Sequence, residues 1–105
     1  MKYKVIWSAF AETQLDEIYK YYSQRVSAKV AVQIVKNLIL RPEQLIKNPY
    51  SGVIEELLEN RTETYRYIIH TNYKIIYSVD KKQKRIKIAD VFDTRQNPMK
   101  LTRNK

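Results

Sequence analysis

Apolar residues fall into two different rhythms along the chain. Between Tyr65 and Pro98 the rhythm is that of strands. Three short runs rich in Tyr, Ile and Val, Thr64–Ile69, Tyr73–Val79 and Arg85–Phe92, are separated by the turn-forming triplet His70-Thr71-Asn72 and by the charged stretch Asp80–Lys84. Such runs, split by turn chemistry, predict an antiparallel meander. Earlier in the chain the rhythm is helical. Ala11, Leu15, Ile18, Tyr19 and Tyr22 form one stripe, and Ala31, Ile34, Val35, Leu38 and Leu45 form a second. Ser8 and Ser27 stand where helix N-caps belong, and Pro42 predicts a kink or break in the second helix. Ahead of both helices, Tyr3–Trp7 alternates as a short strand, with Tyr3, Val5 and Trp7 on one face.

The connections complete the order. Asn48-Pro49-Tyr50-Ser51-Gly52 is a turn that ends the helical half. Residues 53–60 fit either a loop carrying a strand or a helical turn, and residues 96–105 read as a polar tail with room for one turn after Pro98. The order β-α-α-β-β-β predicts an α+β domain, with a helical hairpin on one face of a twisted antiparallel sheet. The first strand is expected inside that sheet, since an edge position would bury Trp7 poorly. A length of 105 residues and 44% apolar content suit one domain, residues 1–105, with one core.

Charge changes this picture. The formal net charge is +9. Residues 1–60 hold 8 Lys/Arg against 7 Asp/Glu, whereas residues 61–105 hold 12 against 4. The excess lies on the meander and not in a tail, which points to a polyanionic partner, nucleic acid or an acidic protein segment. Alternation separates Tyr73, Ile75, Tyr77 and Val79 from Lys74 and Ile76, and Arg85, Lys87, Ala89 and Val91 from Ile86, Ile88, Asp90 and Phe92. Lys74, Arg66 and Lys87 are therefore expected together on an open, cationic face, with Arg85 nearby and Arg95 just beyond the last strand. Such cations bind phosphate and tyrosines stack on bases. In a metal-independent ribonuclease they would stabilise the charge of a pentavalent phosphate while a Tyr, His or Glu moved protons.

Other chemistries find little support. There is no cysteine, one histidine and a single glycine, so thiolate catalysis, a zinc–cysteine site and a phosphate-cradling glycine loop drop out. The acids lack metal-ligand spacing, and neither a metal nor a cofactor is expected. A serine–histidine–acid triad would have to use His70, whose place at a hairpin turn assigns it to solvent. No run approaches the ~18 apolar residues of a membrane span. The N-terminus opens directly into MKYKVIWS, so the expectation is a cytoplasmic protein without membrane partner or small-molecule substrate.

The ordered set WSAFAETQLDEIYKYY, NPYSG, NYKIIYSVD and VFDTRQNP resembles the RelE/ParE family of bacterial toxins, the toxin halves of type II toxin–antitoxin modules, also called plasmid stabilisation proteins. The resemblance covers nearly the whole chain and implies the α+β fold described above. It also implies growth inhibition, with a cognate acidic antitoxin as the neutralising partner. RelE-like members cut mRNA on the ribosome with basic sheet residues and a C-terminal tyrosine. ParE-like members inhibit DNA gyrase. Lys74 matches the basic residue of the family's N-Y-[RK] strand motif, Arg95 matches the arginine after the last strand, and Arg66 lies near a basic position of the preceding strand. Those three are the catalytic candidates under the RelE-like alternative. No tyrosine follows Tyr77, so the C-terminal tyrosine has no counterpart. The resemblance therefore favours the ParE branch, with Arg66, Lys74, Arg85, Lys87 and Arg95 as target- or nucleic-acid-binding candidates.

Overall fold

A computed structural model describes residues 2–103. Strand β1 (Lys4–Trp7) leads into helices α1 (Ala9–Arg25) and α2 (Ala28–Leu40). A 3-10 segment (Arg41–Ile46), the two-residue strand β2 (Val53–Ile54) and a 3-10 turn (Glu56–Leu58) follow. The meander is β3 (Tyr65–His70), β4 (Tyr73–Asp80) and β5 (Arg85–Asp93), and a last 3-10 segment spans Pro98–Arg103. The α+β expectation holds, and each meander strand lies within a residue or so of its expected bounds.

Local chemistry sets the helix limits. Ser8 Oγ accepts the Ala11 N–H at 3.0 Å, and Ser27 Oγ accepts the Val30 N–H at 3.1 Å. Each hydroxyl satisfies one of the N–H groups that a helix start leaves without a carbonyl. Pro42 acts as expected: α2 ends at Leu40 and the chain tightens into the 3-10 segment, with Pro42 in its first turn. Ala11, Leu15, Ile18, Ala31, Leu38 and Leu45 are buried, but Tyr19 is not; it faces outward between the helices.

The sheet order is β1-β5-β4-β3-β2. Two expectations need correction. First, β1 is an edge strand and runs parallel to β5, with Lys4 opposite Arg85 and Trp7 opposite Ile88, so the sheet is mixed. Trp7 needs no interior strand, because the helical layer reaches over the edge and packs Tyr3, Val5 and Trp7 against the main core. Second, β5 does not alternate throughout. Tyr77 pairs with Ile88 but Ile76 pairs with Asp90, leaving Ala89 as an extra residue. This bulge shifts the phase of the strand. Ile86, Ile88 and Val91 therefore share the helix-covered core with Ile75 and Tyr77, while Ala89 and Phe92 belong to the opposite face.

That opposite face is not open. Leu58, Ile76, Phe92 and Leu101 form a second core, flanked by Tyr65, Tyr67 and Ala89. The 3-10 turn at Glu56–Leu58 and the segment Pro98–Arg103 lie across it and touch each other.

Candidate functional site

The five candidate cations do not converge on one site. Register places Arg66 opposite Tyr77, on the helix side of the sheet, and Lys74 opposite Phe92, on the far side. The expected grouping of Arg66 with Lys74 and Lys87 is thus corrected: β3 alternates, and the residues of β3 that share a face with Lys74 and Ile76 are Tyr65, Tyr67 and Ile69.

Arg66 holds the Asn48–Gly52 turn. Its Nη1 donates to the carbonyls of Tyr50 and Gly52 at 3.2 and 3.0 Å, and its guanidinium lies over the Tyr50 ring at 5.3 Å. Tyr77 anchors the same turn from inside the core. Its hydroxyl donates to the Pro49 carbonyl at 2.8 Å and accepts the Gly52 N–H at 2.9 Å.

Lys74 and Lys87 pin the 53–64 segment to the far face. Lys74 Nζ lies 2.8 Å from Glu55 Oε1 and 4.2 Å from the centre of the Tyr67 ring. The other oxygen of Glu55 accepts the Leu57 N–H, capping the 3-10 turn. Lys87 Nζ lies 2.7 Å from Glu63 Oε1, which also accepts from Ser78 Oγ at 3.0 Å. The hydrogen bond from Lys87 lowers the Glu63 pKa and, reciprocally, raises that of Lys87. Burial, followed by the nearby Glu63 charge, raises the Tyr65 phenol.

Arg95 is exposed and held by its neighbour. Its Nε and Nη2 donate to the Asp93 carboxylate at 3.0 and 2.8 Å, and Asn72 Nδ2 adds a third donor at 3.2 Å. Arg95 foremost holds the Asp93 carboxyl down at about 2. The folded pKa is depressed, so this contribution is present above the ordinary ~3.9 and fades as pH falls through about 2. Arg95 borders a cleft of about 270 Å³ with Gln14, Glu17 and Tyr21 of α1 and with Tyr73. Tyr73 is core, with its hydroxyl 3.5 Å from that of Tyr22, and burial raises its pKa. Arg103, across the same cleft, clamps the buried Asp90 at 3.0 and 2.9 Å and stacks on Phe10 and Phe92. Arg85 is exposed at the start of β5. His70 closes β3, and among the described residues no side chain hydrogen-bonds its ring. No cluster of three or more potential metal ligands occurs among the described residues.

Two features escape sequence reasoning. One is the set of partners for the cations: Glu55 and Glu63 are remote from Lys74 and Lys87 in sequence. The other is an apolar groove of about 370 Å³ between α1 and α2, lined by Tyr19, Val32, Val35, Lys36, Ile39 and Leu40. Its signal was visible, since Val32, Ile39 and Leu40 fall outside the buried stripe of α2 and still are apolar.

The Lys74–Glu55 geometry yields a prediction. Glu55 is only 4% exposed. Lys74→Ala would strand a buried carboxylate, at a cost of about 1–3 kcal/mol. The double variant Lys74→Ala/Glu55→Gln should recover most of that loss. Denaturant midpoints of the two variants measure it. Wild-type stability in the single variant would mean that Lys74 is not held structurally.

The fold and cation placement thus define a small α+β domain whose helical hairpin carries an exposed apolar groove. The family model described as ParE toxin of type II toxin-antitoxin system, parDE, matches residues 5–98. The chain belongs to this family. Among 11 matching chains of solved structures is one from the "Chromosomal ParDE TA system from P. aeruginosa". It superposes with a TM-score of 0.71 at 17% identity, covering 87% of this chain and 95% of the other, and so shares the fold. No curated protein sequence matches the chain. Among the described residues no helix is long and apolar enough to cross a membrane.

Proposed function

We propose that this ParE-family toxin acts in the cytoplasm, stops growth by poisoning DNA gyrase, and is neutralised by a cognate acidic antitoxin. The observation that carries this reading is the match to the ParE toxin family over residues 5–98. The arrangement of side chains agrees with it. Ribosome-dependent mRNA cleavage, the alternative, would draw on Arg66, Lys74 and Arg95. These lie on different faces or ends of the sheet, and each is engaged by groups of this chain. Of the candidate target-binding cations, Arg85 and Arg95 are the exposed ones.

The groove between α1 and α2 suits the antitoxin. Its lining is apolar apart from Lys36, the signature of a seat for one face of an amphipathic helix, with acidic residues at the Lys36 end. A segment that is disordered when free could fold into it. Expression of the chain alone should halt bacterial growth, and co-expressed antitoxin should restore it. Val32→Asp/Ile39→Asp places two charges in the groove at exposed positions. This variant should remain toxic but escape neutralisation. Normal growth at verified levels of soluble protein would sink the toxin reading, and full rescue of the variant would move the antitoxin elsewhere.

A further inference from the structure

The cations of this chain divide by what they touch. Lys74, Lys87, Arg95 and Arg103 each close an ion pair, and Arg66 binds two carbonyls. A second group has no such engagement. Lys2, Lys4, Lys81, Lys82, Lys84 and Arg85 collect at one corner of the sheet, where β1 begins and the β4–β5 hairpin turns. Sequence separates Lys4 from Arg85, but the parallel pairing of β1 with β5 sets them opposite each other, and the Lys4 N–H donates to the Lys84 carbonyl at 2.9 Å.

Among the described residues, none of these six side chains enters an ion pair. Asp80 is the carboxylate of this hairpin. It stands opposite Arg85 in register, yet its Oδ1 accepts the Gln83 N–H at 3.0 Å and it forms no ion pair. The arrangement works against stability. Like charges directly opposed across a strand pair repel. Lys84 adopts φ 56°, where asparagine or glycine would sit more easily. Its ammonium lies over the Tyr3 ring at 5.1 Å.

Lys74, Lys87, Arg95 and Arg103 are neutralised by carboxylates of this chain, whereas this clustered corner is uncompensated. We propose that the corner binds the phosphate backbone of duplex DNA, without sequence preference. Five of the six cations are lysines, point charges on flexible stems that suit phosphate oxygens better than base edges. A single strand would require exposed aromatic rings for base stacking. Here the corner's aromatic residue, Tyr3, is half-buried beneath Lys84, and the exposed Tyr19, Tyr21 and Tyr50 lie on other elements. The proposal rests on charge placement and not on the gyrase reading, and DNA binding by the isolated chain is measured without gyrase.

The test is fluorescence anisotropy of the purified full chain with a short labelled DNA duplex. Engaging about four phosphates would give a log–log salt slope near −3.6, so affinity should fall about 150-fold between about 50 and about 200 mM salt. Lys4→Gln/Lys82→Gln/Arg85→Gln should make the slope shallower by about 2–3, and Lys82→Gln alone, in the exposed turn, by about 1. Lys20→Gln/Lys29→Gln/Lys47→Gln removes the same charge from exposed positions elsewhere and should leave the slope near that of the wild type. Equal losses in the two triple variants would reduce the effect to net charge and overturn the proposal. It would equally be overturned by absent binding at low salt, or by tighter binding to the unpaired strand or to polyglutamate.

Discussion

Gly52→Ala should lower the stability of this domain by about 2–4 kcal/mol, through overpacking and a disturbed buried hydrogen-bond network. A Cβ at this position would lie 2.5 Å from the Tyr77 hydroxyl oxygen, 2.7 Å from a ring carbon and 2.9 Å from the Tyr67 carbonyl. None of these can yield cheaply. Tyr77 is fully buried, its hydroxyl bridges the Gly52 N–H and the Pro49 carbonyl, and the third neighbour is sheet backbone. With about 4–8 °C lost per kcal/mol in a domain of this size, the melting temperature should fall by at least ~8 °C. Ser51→Ala, one residue away, removes only an exposed hydroxyl that bonds Asn48 and should cost no more than ~0.5 kcal/mol. Adding Tyr77→Phe to Gly52→Ala should not restore stability. It removes the closest contact but leaves the other two, and leaves the Pro49 carbonyl without its donor. An alanine variant that melts like the wild type would show that the turn can move away from Tyr77.

The second large effect should come from Phe92→Ala, at about 3–5 kcal/mol. Phe92 is almost fully buried on the sheet face away from the helices, among Ile76, Leu58 and Leu101, with the Arg103 guanidinium 5.2 Å from its ring. Truncation would empty the middle of a core small enough that few neighbours can collapse into the gap. The control is Met99→Ala, in the segment that covers this core; Met99 is exposed and should change stability by no more than ~0.5 kcal/mol. Equilibrium denaturation of both variants decides the matter. A cost for Phe92→Ala as small as for Met99→Ala would return this face to solvent.

This second core shows where sequence reasoning reaches its limit. Elements set by neighbouring residues were legible: the caps at Ser8 and Ser27, the break at Pro42, and the three meander strands with their turns. Alternation puts Ile76 on the face away from Tyr77, as the fold does, but nothing local reveals that Leu58 and Leu101 come back to cover it. Their approach depends on pairing between segments far apart in the chain. The edge position of β1 was illegible for the same reason, since strand order follows from how the helical layer drapes over Trp7. Alternation failed in β5 because one extra residue, Ala89, inverts every later assignment, so Val91 and Phe92 exchange faces. For the site, residue types were legible but engagement was not. Lys74 and Lys87 were recognisable as sheet cations, whereas their neutralisation by Glu55 and Glu63 is a property of the fold.

That neutralisation bears on the choice between targets. Cations already paired within the chain are poorly placed to stabilise a transition-state phosphate, whereas a toxin that works by docking on a protein–DNA complex needs surface and not a catalytic array. The most direct measurement combines the purified chain, DNA gyrase, ATP and plasmid, with reporter mRNA translated on ribosomes in a parallel reaction. The account predicts that linear plasmid accumulates after protein denaturation, that supercoiling is lost, and that the mRNA stays intact. Intact supercoiling with mRNA cut at ribosome-positioned sites would contradict it.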